Sequence, residues 1–313
     1  MKKTALEDQL SALHALRVAP ITEDAQIQLR QVLKSHTSHV VAAAAEIVGE
    51  AELADLEPDL VSAFAALMRN PAKTDPGCRA KTAIANALRA CECPAEDVFL
   101  QGIRHVQMEP VWGGQVDTAA PLRGACALGL VAMHSRHALL ELAHLLADPE
   151  SDARIAAARA LAYSADPASV PLLRFKVLIG DAHAPVLYEC FLALLKLDVD
   201  TSLPFVAEYL KHADPAVAES AVLALGESRQ ESAFAVLRDA WEATFDAERR
   251  RTLLLALATL RSEPALNCLL DIVRHEARVH ADAALEALQM YRRDETVWRR
   301  VEKALASSPH NKR

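Results

Sequence analysis

Down the second half of the chain the apolar positions fall into one recurring frame. It consists of an anchor, a small or apolar residue four places on, and an Ala-Leu or Gly-Leu pair at seven and eight places. The frame reads Leu122, Cys126, Gly129-Leu130, then Ala153, Ala157, Ala160-Leu161, then Val186, Cys190, Ala193-Leu194. It continues through Val217, Ala221, Ala224-Leu225, through Arg249, Leu253, Ala256-Leu257, and through His280, Ala284, Ala287-Leu288. Successive anchors lie 31, 33, 31, 32 and 31 residues apart. Offsets of four, seven and eight mark one face of a helix, and self-similarity at this period is the signature of stacked helical hairpins. The pattern predicts an all-α, right-handed α-solenoid of about eight hairpins with no β-sheet.

The polar positions support the same division. Asp75-Pro76, Asp148-Pro149 and Asp181 precede the anchors Ala80, Ala153 and Val186 by five residues, and Asp214-Pro215 and Asp246 precede theirs by three. An Asp in that position caps a helix by accepting from its free amides, and Pro at the first helical position gives up no needed donor. Each frame is thus expected on the second helix of a hairpin. The first helices are bulkier and are expected at 97–107, 136–147, 170–179, 203–212, 233–243, 265–274 and 296–306, with Leu, Val or Phe at three- and four-residue spacings. Helices at 6–17, 25–34, 40–49, 60–70 and 79–91 follow the same logic with looser spacing. The domain reading is a single stack over 1–313, with irregular N-terminal repeats over 1–70, regular ones over 71–306 and a flexible tail at 307–313.

Composition narrows the class. The 313 residues are 52% hydrophobic but only 4% aromatic, so the core is built from Ala and Leu, whose small side chains let helices approach closely. Net charge is −6 over the first 150 residues and −2 over the remainder, without the broad positive field that a phosphate backbone demands. Glu7 and Asp8 interrupt the opening Met1-Lys2-Lys3 before any apolar run begins, and no stretch approaches the ~20 apolar residues of a membrane span. The expectation is a cytoplasmic protein, with no membrane and no nucleic acid among its partners. Cys78, Cys91, Cys93, Cys126, Cys190 and Cys268 are dispersed, and several replace Ala or Leu in the frame, as small buried hydrophobes in a reducing compartment do.

Catalytic and cofactor signatures are sparse. Phosphate-binding and nucleophile-elbow motifs are absent from the sequence. His275-Glu276 and His280 form a pattern one residue too long for HExxH, and five steps of about 100° would set the two imidazoles about 140° apart on a regular helix. Cys91 and Cys93 lack a second pair at zinc spacing. No metal, cofactor or catalytic residue is expected.

The segment from Arg104 to Thr118 breaks the frame. It lengthens one connection well beyond its counterparts, and long loops on a rigid scaffold carry function. Pro110 stiffens its start, Gly113-Gly114 permits positive φ, and Trp112 brings a large amphipathic surface into an aromatic-poor chain. Arg104, His105, Glu109 and Asp117 are candidates to converge there with Arg123. The alternative is that Trp112 folds back to plug an irregular junction. A second candidate surface runs over the second helices, where Leu192, Leu223 and Leu255 form an apolar strip with charged flanks suited to an amphipathic helix or extended peptide, with Tyr188 as a candidate anchor.

The Asp-Pro turns, the basic residue after the anchor (Lys81, Arg123, Arg154, Arg250) and the ending Ala224-Leu225-Gly226 resemble HEAT repeats. The likeness is to the bacterial subgroup that includes the HEAT-like repeats of phycobilin lyases, and it covers about 72–306. It implies HEAT-like hairpins whose Asp and basic residues form a ladder between repeats, here Asp75, Lys81, Asp117, Arg123, Asp148 and Arg154, interrupted at Leu187, Ala218 and Ala281. HEAT-repeat di-iron hydroxylases carry several His-Glu dipeptides, whereas this chain has one. HEAT-like DNA glycosylases suggest a duplex reading for Arg249-Arg250-Arg251, Arg292-Arg293 and Arg299-Arg300 beside Trp241 and Trp298, but both Trp residues fall on first helices, where bulky side chains fill the core. The leading functional expectation is a non-catalytic scaffold binding another protein or peptide through its concave face and the 107–118 loop. The alternative is an enzyme or enzyme subunit resembling the phycobilin lyases, acting on a tetrapyrrole-carrying protein.

Overall fold

The structure is a computed structural model that describes residues 2–18 and 20–308, with side chains from Leu10 onward. The chain forms two compact units, Met1–Ser164 and Ala165–Arg313. Of the expected tail, residues 309–313 lie outside the described residues.

In the first unit α1 (Lys2–Val18), α2 (Glu23–Leu33), α3 (Ser38–Glu50), α4 (Glu57–Leu67), the single turn α5 (Pro71–Thr74) and α6 (Arg79–Ala90) lead to α7 (Glu96–Ile103). Two short strands, β1 (Met108–Val111) and β2 (Gly114–Asp117), intervene before α8 (Ala120–Ala132), α9 (Ala138–Leu145) and α10 (Ser151–Ser164). The second unit holds α11 (Ser169–Ile179), α12 (Ala184–Leu197), α13 (Val199–Glu208), α14 (Pro215–Glu227) and α15 (Ala233–Ala243). It ends with α16 (Ala247–Leu260), α17 (Glu263–His275), α18 (Arg278–Leu288) and α19 (Glu295–Ser307). Helices pair as hairpins α2/α3, α4/α6, α7/α8, α9/α10, α11/α12, α13/α14, α15/α16 and α17/α18. The fold is an all-α repeat architecture, as the period required.

The frame residues form the core. Every anchor-plus-four residue from Cys126 to Ala284 is fully buried, as are the paired leucines Leu130, Leu161, Leu194, Leu225, Leu257 and Leu288. The second helices pack side by side, α3 on α6, α6 on α8 and α8 on α10 in one unit, and α12 on α14, α14 on α16 and α16 on α18 in the other. Small residues set their separation: a Cβ on Gly226 would lie 2.6 Å from the Ala256 carbonyl oxygen. Asp214 and Asp246 cap α14 and α16 by accepting from Ala216 and Arg249 amides at 2.9 and 2.8 Å, and Asp75 caps α6 from two oxygens, at 3.0 Å to Ala80 N and 2.9 Å to Lys81 N. Several second helices also end alike, on a non-glycine residue in the left-handed region: Glu52, Glu92, His134, Ala165, Arg229 and Arg261.

Two expectations are corrected. The 107–118 segment is not an irregular loop in a sheet-free protein: β1 and β2 form an antiparallel hairpin in the register Met108↔Asp117 to Val111↔Gly114. The helix expected over 97–107 stops at Ile103, because Gln107 is drawn into the base of that hairpin. His275 and His280 also do not share a helix. The chain breaks at Glu276 between α17 and α18, and His280 instead meets Arg250 and the edge of Trp241.

Candidate functional site

The hairpin begins where α7 runs out of apolar positions. Its turn is Trp112-Gly113, with Gly113 at φ 90°, a conformation glycine adopts without penalty. Along the hairpin Met108, Val111, Trp112 and Val116 are all exposed, and Trp112 at the tip reaches 104% relative exposure. Trp112 therefore does not fold back to plug a junction.

The base, by contrast, is closed by a dense polar network. The Asp117 carboxylate accepts from the Gln107 and Ala119 amides, both at 2.9 Å, and from Arg123 Nη1 at 2.6 Å. Arg123 is almost fully buried and also donates to the His105 carbonyl at 2.9 Å and to Asp148 at 2.9 Å. It therefore ties the hairpin to the turn that begins the next second helix. Glu109 Oε1 accepts from Gly77 N at 2.8 Å, from Gln107 Nε2 at 2.5 Å and from Thr118 Oγ1 at 3.0 Å. Gln107 Nε2 also reaches the Asp75 carbonyl at 2.9 Å. Beneath it, the fully buried Lys81 ammonium lies 3.4 Å from Asp75.

Electrostatics follow from this geometry. Burial works to raise the Asp117 pKa, but the Gln107 and Ala119 amides and the Arg123 guanidinium outweigh it and hold the carboxyl below its ordinary range. Burial likewise opposes ionisation of Glu109, and donors from Gln107, Gly77 and Thr118 prevail. His105 is pushed down, first by burial and against the contact with Gln107, so its neutral form is favoured. The Asp117 and Glu109 carboxylates are held by internal donors that fasten the hairpin, while the buried Lys81 ammonium, 3.4 Å from Asp75, makes no hydrogen bond among the described residues.

The structure brings together His105, Glu109, Asp117 and Arg123 at the base. Gly113, Gly114 and Trp112 sit at the tip. Arg104 does not join them: its guanidinium forms a two-pronged ion pair with Glu141 on α9, with Nε 2.9 Å from Oε2. In the second unit Tyr188 and Leu192 lie half-buried on α12, Leu223 half-buried on α14, and Leu255 is 45% exposed on α16. Gln107 and Gly77 are the base residues that residue-type reasoning passes over. An uncharged Gln and a Gly 30 residues apart carry no chemical signal until the fold joins them.

The ladder of Asp and basic residues is present around α8 and α10, where Arg154 Nη1 donates to the Asp148 and Pro149 carbonyls at 2.7 and 2.8 Å. It gives way to buried Leu187, Ala218 and Ala281 beyond, where Asp181 pairs instead with Lys176 of α11 at 2.8 Å. Of the C-terminal arginine runs, some members are engaged within the fold, while Arg292 and Arg293 are exposed. Arg250 stacks on Trp241 and bonds the Thr244 carbonyl, Arg251 lies 3.5 Å from Glu248 and Glu286, and Arg300 binds Glu263. The six cysteines are free thiols; burial pushes Cys78, Cys93 and Cys190 up to about 12. No described helix is long and apolar enough to cross a membrane.

No curated protein matches the chain. Among solved structures it is similar to the complex of CpcE and CpcF of phycocyanin lyase from Nostoc sp. PCC7120, at 18% identity over 92% of this chain and 95% of that one, TM-score 0.38. It is also similar to human deoxyhypusine hydroxylase in complex with glycerol (17% identity, 92% and 91% covered, TM-score 0.32) and to an engineered protein (17%, 96% and 94%, 0.40). The family model described as HEAT repeats matches residues 174–258. That span runs from within α11 to within α16, across the hairpins whose frame is most regular, and there the chain is built of HEAT repeats.

Proposed function

We propose that this protein is a non-catalytic scaffold that holds another protein or peptide, using the tip of the β1–β2 hairpin and the second-helix face around Tyr188, Leu192 and Leu223. The observation that carries the reading is a fully exposed Trp at the end of a hairpin whose base is fixed by a network of hydrogen bonds. An exposed indole contributes nothing to the protein's own core, and a side chain held on an ordered arm loses little further freedom when it docks. Trp at the centre of an interface is among the strongest anchors known. The engagement of the Asp117 and Glu109 carboxylates by internal donors at the base favours positioning over chemistry. The test is affinity capture from the native host with wild-type and Trp112→Ala full-length protein, together with a thermal melt of each. Loss of about 2 kcal/mol, roughly 30-fold in affinity, with an unchanged melt supports the reading. Undiminished capture by Trp112→Ala removes the hairpin from the binding surface.

A further inference from the structure

The second unit carries a groove that the hairpin does not explain. It lies between α14 and α16, has a volume of about 510 Å³, and is floored by Ala218, Val222 and Thr252. Three carboxylates line it, Glu219, Asp246 and Glu248, against one guanidinium, Arg249. Asp246 is partly engaged in capping α16, and Glu248 lies 3.5 Å from Arg251, while Glu219 has no ion-pair partner among the described residues. Next in the chain to the lining residues Thr244 and Asp246, Phe245 is 90% exposed. Its ring already meets one cation, the Arg250 guanidinium, 5.7 Å from its centroid. The helices that form the groove also bear Leu223 and Leu255.

From this geometry we infer that the groove is the seat of a basic, amphipathic segment of a protein partner. Its Lys or Arg side chains enter among Glu219, Asp246 and Glu248 beside the Phe245 ring, while its apolar residues lie on Leu223 and Leu255. The charge selects the occupant: a groove with three carboxylates against one guanidinium, and an exposed ring next to it in the chain, attracts a cation by Coulombic and cation–π terms, and repels an acidic helix of identical apolar spacing. Apolar contact alone would not discriminate the two. The inference rests on the reading of the protein as a binder, and gives that reading a partner chemistry.

The experiment uses full-length protein and fluorescent synthetic peptides read by anisotropy: an amphipathic Lys/Leu helix, its Glu/Leu counterpart with the same spacing, and a scrambled Lys/Leu sequence. The Lys/Leu helix is expected to bind at least about tenfold more tightly than the Glu/Leu helix and than the scramble. The double variant Glu219→Gln/Glu248→Gln and the single variant Phe245→Ala are each expected to weaken it by about fivefold or more with unchanged melting. Equal binding of the Lys/Leu and Glu/Leu helices, equal binding of the scramble, or undiminished binding by both groove variants overturns the inference. Trp112→Ala separates the two proposals. If that variant loses capture of its native partner while peptide binding shows no charge preference, the hairpin reading stands and the groove assignment falls.

Discussion

After its anchor, α8 carries Arg123 and α12 carries Leu187, and the two helices join their neighbours by different physics. Arg123 sits between the carboxylates of Asp117 and Asp148, holding two turns and the base of a hairpin from a nearly solvent-free position. Leu187 occupies the same place in its repeat as a buried apolar contact, and α14 and α18 repeat the arrangement with Ala218 and Ala281, while α16 carries Arg250 there, bonded to the Thr244 carbonyl and stacked on Trp241. An apolar junction tolerates gradual change in shape and leaves the surface smooth. A charged junction demands partners at set distances, and around α8 those demands are met by residues of the β1–β2 arm. The irregular element of the fold thus stands where the repeat is fastened by buried charge.

The sharpest way to break this comparison is to substitute the two equivalent positions by the same residue. Arg123→Met strands two nearly buried carboxylates and should cost about 3–5 kcal/mol, whereas Leu187→Met conserves volume and should cost less than about 1.5 kcal/mol. Urea denaturation of both variants checks this, and equal losses would show that Arg123 acts only as bulk.

Glycine substitutions sharpen it next. Gly226→Ala drives a methyl into the Ala256 backbone and should cost about 1–3 kcal/mol by forcing α14 from α16. Gly113→Ala meets no atom within 4 Å, so its cost is conformational, about 1 kcal/mol or somewhat more, and local to the turn. Melting temperature reports the first, and amide exchange within the hairpin the second.

Acid should divide the two regions. The pKa values of Asp117 and Glu109 are depressed in the fold, so their stabilisation is complete above the ordinary carboxylate pKa of about 4 and is lost as pH falls through the lowered values. His105, also depressed, works in the same direction at its own higher range, because the folded state disfavours its protonation. Amides of Gln107 and Ala119, which donate to Asp117, should lose protection on acidification before those of α14, where apolar packing dominates. Simultaneous loss would contradict a charge-fastened base. The smallest effect concerns the thiols: Cys78 and Cys190, buried and pushed up to about 12, should react with a disulfide reagent only on unfolding.

Much of this was legible in the residues. The anchors, the buried leucines and the Asp caps follow from periodicity and turn chemistry, because a helix face and a cap are local properties. The ladder at Asp117, Arg123 and Asp148 followed from resemblance. The hairpin was not legible as a hairpin: its strands are four residues long, one contains Pro110, and its base depends on Glu109 meeting Gly77 in a distant turn. The acidic groove escaped for the same reason, since Glu219 and Glu248 approach only when α14 packs on α16. Arg104 looked like a site residue from its place in sequence, yet α9 supplies Glu141 to take it.

The most direct test of the account pairs Trp112→Ala with Trp241→Ala, measuring melting temperature and native-partner capture in both. Trp241 is 7% exposed in the packing of the second unit, so its truncation should cost about 3–5 kcal/mol of stability. Trp112, fully exposed on its fastened arm, should leave the melt unchanged and abolish most capture. A Trp112→Ala protein that melts as early as Trp241→Ala, or that captures its partner as wild type does, would contradict the account.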